Sequence, residues 1–111
     1  MTKVLVSKNA TLRTLLERAE STSALRTYPT LAAAPVRECE CADAIIFDEA
    51  TASFMELFAC QDLFGDHQKL VILTEKRAAM IGCFSEAVVF SYPVDISEVS
   101  AACRDREEIS A

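Results

Sequence analysis

The sequence predicts an α/β domain, a single parallel sheet of five short strands with helices on both faces. Three observations carry that prediction. The runs Val4-Leu5-Val6, Ala44-Ile45-Ile46-Phe47, Leu70-Val71-Ile72-Leu73 and Ala87-Val88-Val89-Phe90 have no polar face, as strands buried on both sides require. Helical patterns separate these runs, and strands alternating with helices return to one sheet through right-handed crossovers. Only two glycines and three prolines occur in 111 residues, too few for a turn-rich all-β sandwich.

Each element has its own signal. Val4-Leu5-Val6 is the first strand. Asn9 caps the helix that follows, in which Leu12, Leu15, Leu16 and Ala19 recur at i, i+3, i+4 and i+7 as one buried stripe. Residues 24–28 form a weak strand stopped by Pro29. Residues 31–41 are the least regular, because Ala32-Ala33-Ala34 suggests a helical turn that Pro35 cuts or repositions, so a degenerate second helix is expected. The third strand ends abruptly on Asp48. Thr51 then caps a helix carrying Phe54, Met55, Leu57, Phe58 and Leu63, with Gly65 placed to end it. The fourth strand closes on Thr74. Residues 75–84 form a short fourth helix of about two turns, and the fifth strand leads into Ser91-Tyr92-Pro93. A last helix starts near Asp95 or Ile96 and buries Ile96, Val99 and Cys103.

For five such units the expected strand order is 2-1-3-4-5, the flavodoxin-like arrangement, with another doubly wound order as the alternative. No internal repeat or linker interrupts the chain, so residues 1–111 are read as one domain. In such sheets ligands gather at the carboxyl ends of the strands. Asp48 and Thr74 stand there.

Composition removes several function classes. A formal net charge of -6 argues against a binder of DNA or RNA phosphates. No apolar run approaches the roughly 20 residues that cross a bilayer, and no signal peptide pattern opens the chain, so a cytoplasmic domain without membrane contact is expected. Of the five cysteines, Cys60, Cys83 and Cys103 read as small buried hydrophobes, and Cys39-Glu40-Cys41 lacks the second Cys or His pair of a zinc site. No metal site is assigned. His67 reads as a solvated loop residue, and Arg104-Asp105-Arg106-Glu107-Glu108 as a charged helix surface.

Four segments together resemble the signature segments of the response-regulator receiver family. They are Val6-Ser7-Lys8-Asn9-Ala10-Thr11-Leu12-Arg13, Asp43-Ala44-Ile45-Ile46-Phe47-Asp48, Leu70-Val71-Ile72-Leu73-Thr74 and Phe90-Ser91-Tyr92-Pro93-Val94-Asp95. The resemblance implies that Asp48 stands where receivers accept phosphate from a histidine kinase, and that Thr74 is the switch hydroxyl. It also implies that a magnesium-binding acidic pair falls on Ser7 and Lys8, and a lysine on Tyr92. The sequence departs from the pattern at those positions. Magnesium wants carboxylate and other oxygen ligands, and phosphoryl transfer wants metal and fixed positive charge on the developing oxyanions. Lys8 is instead expected to pair with Asp48 or to fill the cation position. The domain resembles a degenerate pseudo-receiver that has no catalytic residue.

Three function classes compete. The first is a noncatalytic regulatory module of a two-component system, as found within hybrid histidine kinases, that is not phosphorylated. It would control a histidine kinase or a neighbouring receiver domain through the face of the fourth helix, fifth strand and fifth helix, residues 75–84, 87–91 and 96–106; the chain's charged helical end fits an excised middle domain. The second is a phosphoacceptor working on Asp48 with an atypical metal site. The third, a small α/β enzyme, lacks a glycine-rich phosphate loop, a nucleophile beside a base, and a metal cluster. For the first class the resemblance implies a ligand, cyclic di-GMP. Tyr92 offers a stacking plane beside Pro93, Arg77 a two-pronged donor set, and Ser97, Ser100 and Arg104 one shared helix face. The competing role for Tyr92 is to cover the sheet edge or pack on a partner.

Overall fold

The computed structural model describes residues 2–19, 24–49, 68–83 and 87–103. Five parallel strands, β1 (Thr2–Val6), β2 (Ala24–Tyr28), β3 (Ala44–Asp48), β4 (Lys69–Thr74) and β5 (Val88–Ser91), form one sheet in the order β2-β1-β3-β4-β5. This is the flavodoxin-like order expected from the sequence. Ile46 pairs with Val71 and Ile45 with Leu70, so the two most apolar runs lie side by side.

Period-2 alternation divides the strands between two cores. Val4, Val6, Ile45, Phe47, Ile72 and Val89 face one side, where Ala34 and Cys39 cover them. Leu5, Ala44, Ile46, Val71 and Leu73 face the other, under Leu12 and Leu16 of α1 (Ala10–Ala19) and under Val99 and Cys103 at the last helix. Every residue of β3 is buried, which is why that strand reads as a continuous apolar run. Each fully buried Leu, Ile or Phe contributes roughly 1.5 to 3 kcal/mol over an exposed one.

Asn9 caps α1, its Oδ1 accepting from Leu12 N at 3.1 Å. The expected stripe is narrower than its spacing suggests. Leu15 is 42% exposed and Ala19 is exposed. At 100° per residue, Leu15 stands about 60° from Leu12 on the side away from Leu16, at the margin of the buried arc. Ala19 closes the helix.

The irregular stretch resolves into a turn over residues 31–33 and a six-residue helix, α2 (Val36–Cys41), with Pro35 at its N-cap. Pro35 repositions the helix, being tolerated where no N–H is needed. The end of α2 is held from a distance. Gln68 Nε2 lies 2.6, 3.0 and 2.7 Å from the carbonyl oxygens of Cys39, Glu40 and Ala42, so one amide serves orphan acceptors of the last turn.

The short helix expected after β4 is α3 (Arg77–Cys83), seven residues or two turns. The final helix α4 (Ile96–Ala102) is capped by Asp95, whose carboxylate accepts from the Ser97 and Glu98 amides. Val99 and Cys103 are buried and Ile96 is half-buried. Cys39 is buried and Cys41 exposed. The helix read over Thr51, Phe54, Met55, Leu57, Phe58 and Leu63, together with Cys60, Gly65, His67 and the 104–108 charge run, lies outside the described residues. Among the described residues no helix is long and apolar enough to cross a membrane.

Candidate functional site

Three strand ends meet at Asp48. In chain parity Ser7 continues Leu5, Asp48 continues Ile46, and Tyr92 continues Phe90, so all three turn to the face covered by α1 and α4. Ser7 lies one position beyond the last β1–β3 pair, Val6 with Phe47, which sets it beside Asp48. Asp48 is 3% exposed, and Ser7 is fully buried.

Each Asp48 carboxylate oxygen receives a hydroxyl. Ser7 Oγ donates to Oδ2 at 2.7 Å and the Tyr92 phenol donates to Oδ1 at 2.8 Å. The Ser7 rotor is itself fixed, because Asn9 N donates to Ser7 Oγ at 3.0 Å. Tyr92 is anchored at both ends, its backbone N donating to Thr74 O at 3.1 Å. Burial first, then the hydrogen bond to Asp48, then the charges of Asp48, Glu49 and Glu75 push the Tyr92 phenol far above its ordinary range. The group is a neutral donor throughout the physiological range, not a phenolate.

The two other positions singled out by the resemblance behave differently. Thr74 is buried, and its Oγ1 accepts from Lys76 N at 2.9 Å and lies 3.5 Å from Glu49 Oε2, at the outer limit of a hydrogen bond. Its hydroxyl ties off the end of β4. Lys8 is exposed. Sequence reasoning placed weight on that ammonium and missed the hydroxyl pair. The signal was available, since alternation sends Ser7, not its neighbour, to the side of Asp48.

The donor set is a poor match for magnesium, which wants near-octahedral oxygen ligands at about 2.0 to 2.1 Å, usually one or two carboxylates with waters. The position beside Asp48 holds a serine hydroxyl whose proton is directed at the carboxylate. Among the described residues no group of three His, Cys, Asp or Glu comes together.

A second feature lies on the other side of Tyr92. An open groove of about 560 Å³ runs along β5 between α3 and α4, lined by residues including Arg77, Val88, Ser91, Pro93, Asp95 and Glu98. Of the residues expected to hold a cyclic dinucleotide, Arg77 and Pro93 line this groove. Tyr92 does not. Its ring packs into the core on the α1 side and its hydroxyl turns to Asp48, because β5 parity directs it there. Ser97 is exposed on α4, but Ser100 is 6% exposed and belongs to the interior. It stands only about 40° around the helix from Ile96, within the buried arc, whereas Ser97 stands about 100° away. Arg104 lies outside the described residues.

No family model matches the sequence. No curated protein matches it either. The structure does have relatives. A response regulator receiver domain protein from Clostridium thermocellum superposes with a TM-score of 0.73 at 15% identity, covering 99% of this chain and 98% of that one. A response regulator protein from Burkholderia pseudomallei, solved with a phosphorylated aspartic acid, calcium ion and citrate, superposes with a TM-score of 0.70 at 16% identity, covering 98% of this chain and 70% of that one. The chain therefore has the fold of response-regulator receiver domains, a five-stranded parallel sheet in the order 2-1-3-4-5.

Proposed function

We propose that this domain is a noncatalytic regulatory pseudo-receiver of a two-component system, of the kind found within hybrid histidine kinases. It is not phosphorylated, and it controls a histidine kinase or a neighbouring receiver domain through the face of α3, β5 and α4. The observation that carries this reading is the double hydroxyl clamp on Asp48. A carboxylate attacking a phosphoryl group needs a free oxygen and a cation to neutralise the charge that develops. Here each oxygen already accepts a hydroxyl, which lowers its nucleophilicity, and the residue at the lysine position is a phenol held neutral.

Incubation with acetyl phosphate and magnesium, followed by intact mass analysis, tests the reading. No gain of one phosphate is expected. Phosphate on Asp48 would instead establish a working phosphoacceptor with an atypical metal site; the Burkholderia pseudomallei protein of the same fold was solved with a phosphorylated aspartic acid.

The ligand that fits this reading is cyclic di-GMP, bound along the groove with Arg77 facing a phosphate or a guanine edge and Pro93 as a flat wall. Bound there, it would compete with partner docking. Calorimetry on the order of tens of micromolar ligand decides this. Heat that disappears in Arg77→Ala supports it, and no heat removes the ligand while leaving the regulatory reading in place.

A further inference from the structure

β5 is an edge strand, and its outer side is open along the groove. In a parallel ladder a residue that bonds to the neighbouring strand does so with both its N–H and its C=O, and the residues between turn both groups away. Tyr92 N donates to Thr74 O, which sets the phase: residues 88, 90 and 92 address β4, so Val89 and Ser91 present their backbone groups outward. Arg77 agrees with that phase. Its Nε donates to Val89 O at 3.2 Å, the one hydrogen bond that a side chain among the described residues makes to this edge. A cationic side chain laid over an edge carbonyl is a usual way of blunting a strand that would otherwise pair with another chain.

We propose that this edge takes an added strand, an extended peptide segment of a partner protein carrying basic residues. The segment pairs with Val89 and Ser91 and displaces Arg77 from the Val89 carbonyl. Main-chain bonds of this type supply affinity, and alternate side chains supply selectivity. Charge selects the occupant. The wall opposite Arg77 carries two exposed carboxylates, Asp95 and Glu98, on a chain of net charge -6, so a segment bringing lysine or arginine is favoured over an acidic one. Alternation turns Val88, 43% exposed, to the α4 side with Phe90, whereas Ile81, 44% exposed, stands on α3, so each face of such a segment meets one exposed apolar side chain. α3 is only two turns long. This inference does not rest on Asp48 being inert.

The test is an NMR titration of the 15N-labelled domain with a capped hexapeptide of alternating lysine and valine. Saturable shifts below about 1 mM peptide are expected, centred on the Val89 and Ser91 amides, whose hydrogen exchange slows. The glutamate–valine peptide and the fully N-methylated lysine–valine peptide should bind at least about tenfold more weakly. Arg77→Ala frees the Val89 carbonyl and should tighten binding by about twofold to tenfold. Equal binding of the N-methylated peptide, equal binding of the acidic peptide, or an absence of shifts at Val89 and Ser91 would each overturn the proposal. Failure here leaves the acetyl phosphate result untouched, so the two readings fall separately.

Discussion

Tyr92→Phe is the most informative single change, because it keeps the ring in the core and removes only the hydroxyl on Asp48. Hydrogen bonds to a charged group contribute about 1.5 to 3 kcal/mol, so a loss of that order in urea unfolding is expected. The pH dependence has a definite sign. The folded state holds the phenol proton more tightly than the unfolded chain, whose tyrosine ionises near pH 10, so this contribution is complete below pH 10 and declines as pH rises beyond it. The wild-type domain should lose stability steeply above about pH 10, and Tyr92→Phe should flatten that slope. With only two tyrosines in the chain, absorbance titration resolves the difference: Tyr92 should ionise only when the fold opens. The sequence named Ser7, Lys8 and Tyr92 as departures from the receiver pattern around a retained Asp48, but not the contact of Ser7 and Tyr92 with it. Residue type told where the chain departs from the receiver pattern, while the hydroxyl clamp depends on side-chain parity at three strand ends separated by 41 and 44 residues.

Among the elements, legibility followed the source of each signal. Strands came through because burial on both faces leaves an unbroken apolar run. Helices were less exact, since a stripe in sequence does not say how wide an arc the sheet covers; Leu15 and Ser100 both crossed that boundary. What no local pattern could reveal was Gln68, whose amide holds the end of α2 from across 26 to 29 residues. Gln68→Ala leaves partly buried carbonyls to find other donors and should cost about 1 to 3 kcal/mol, with faster amide exchange confined to α2. At the other end of the chain Asp95→Ala removes an acceptor from two α4 amides and should cost about 0.5 to 2 kcal/mol. Because Asp95 also lines the groove, that variant should weaken the basic peptide as well, whereas Gln68→Ala should not.

For the molecule as a whole, alternation of strands and helices implied a parallel sheet, and the order 2-1-3-4-5, expected over another doubly wound order, is the one observed; parallel strands bring the ends of β1, β3 and β5 to one edge. In receivers, by the resemblance, that edge holds metal and phosphate; here it carries the Ser7 and Tyr92 hydroxyls on Asp48. A change of chemistry at one position should therefore be separable from a change at another. Magnesium added to the wild-type domain should leave the amides of Ser7, Lys8 and Asp48 unmoved, although a chain of net charge -6 collects cations diffusely elsewhere. Lys8→Asp replaces an ammonium with a carboxylate at this edge, and should produce saturable binding in the order of millimolar at best. Phosphorylation by acetyl phosphate should stay absent in that variant, because the Tyr92 hydroxyl still occupies Asp48 Oδ1 and no fixed cation stands in its place. Only the further change Tyr92→Lys supplies both. If Lys8→Asp alone gave phosphate on Asp48, the clamp would not be what holds the carboxylate silent, and the loss of the acidic pair would be the whole cause.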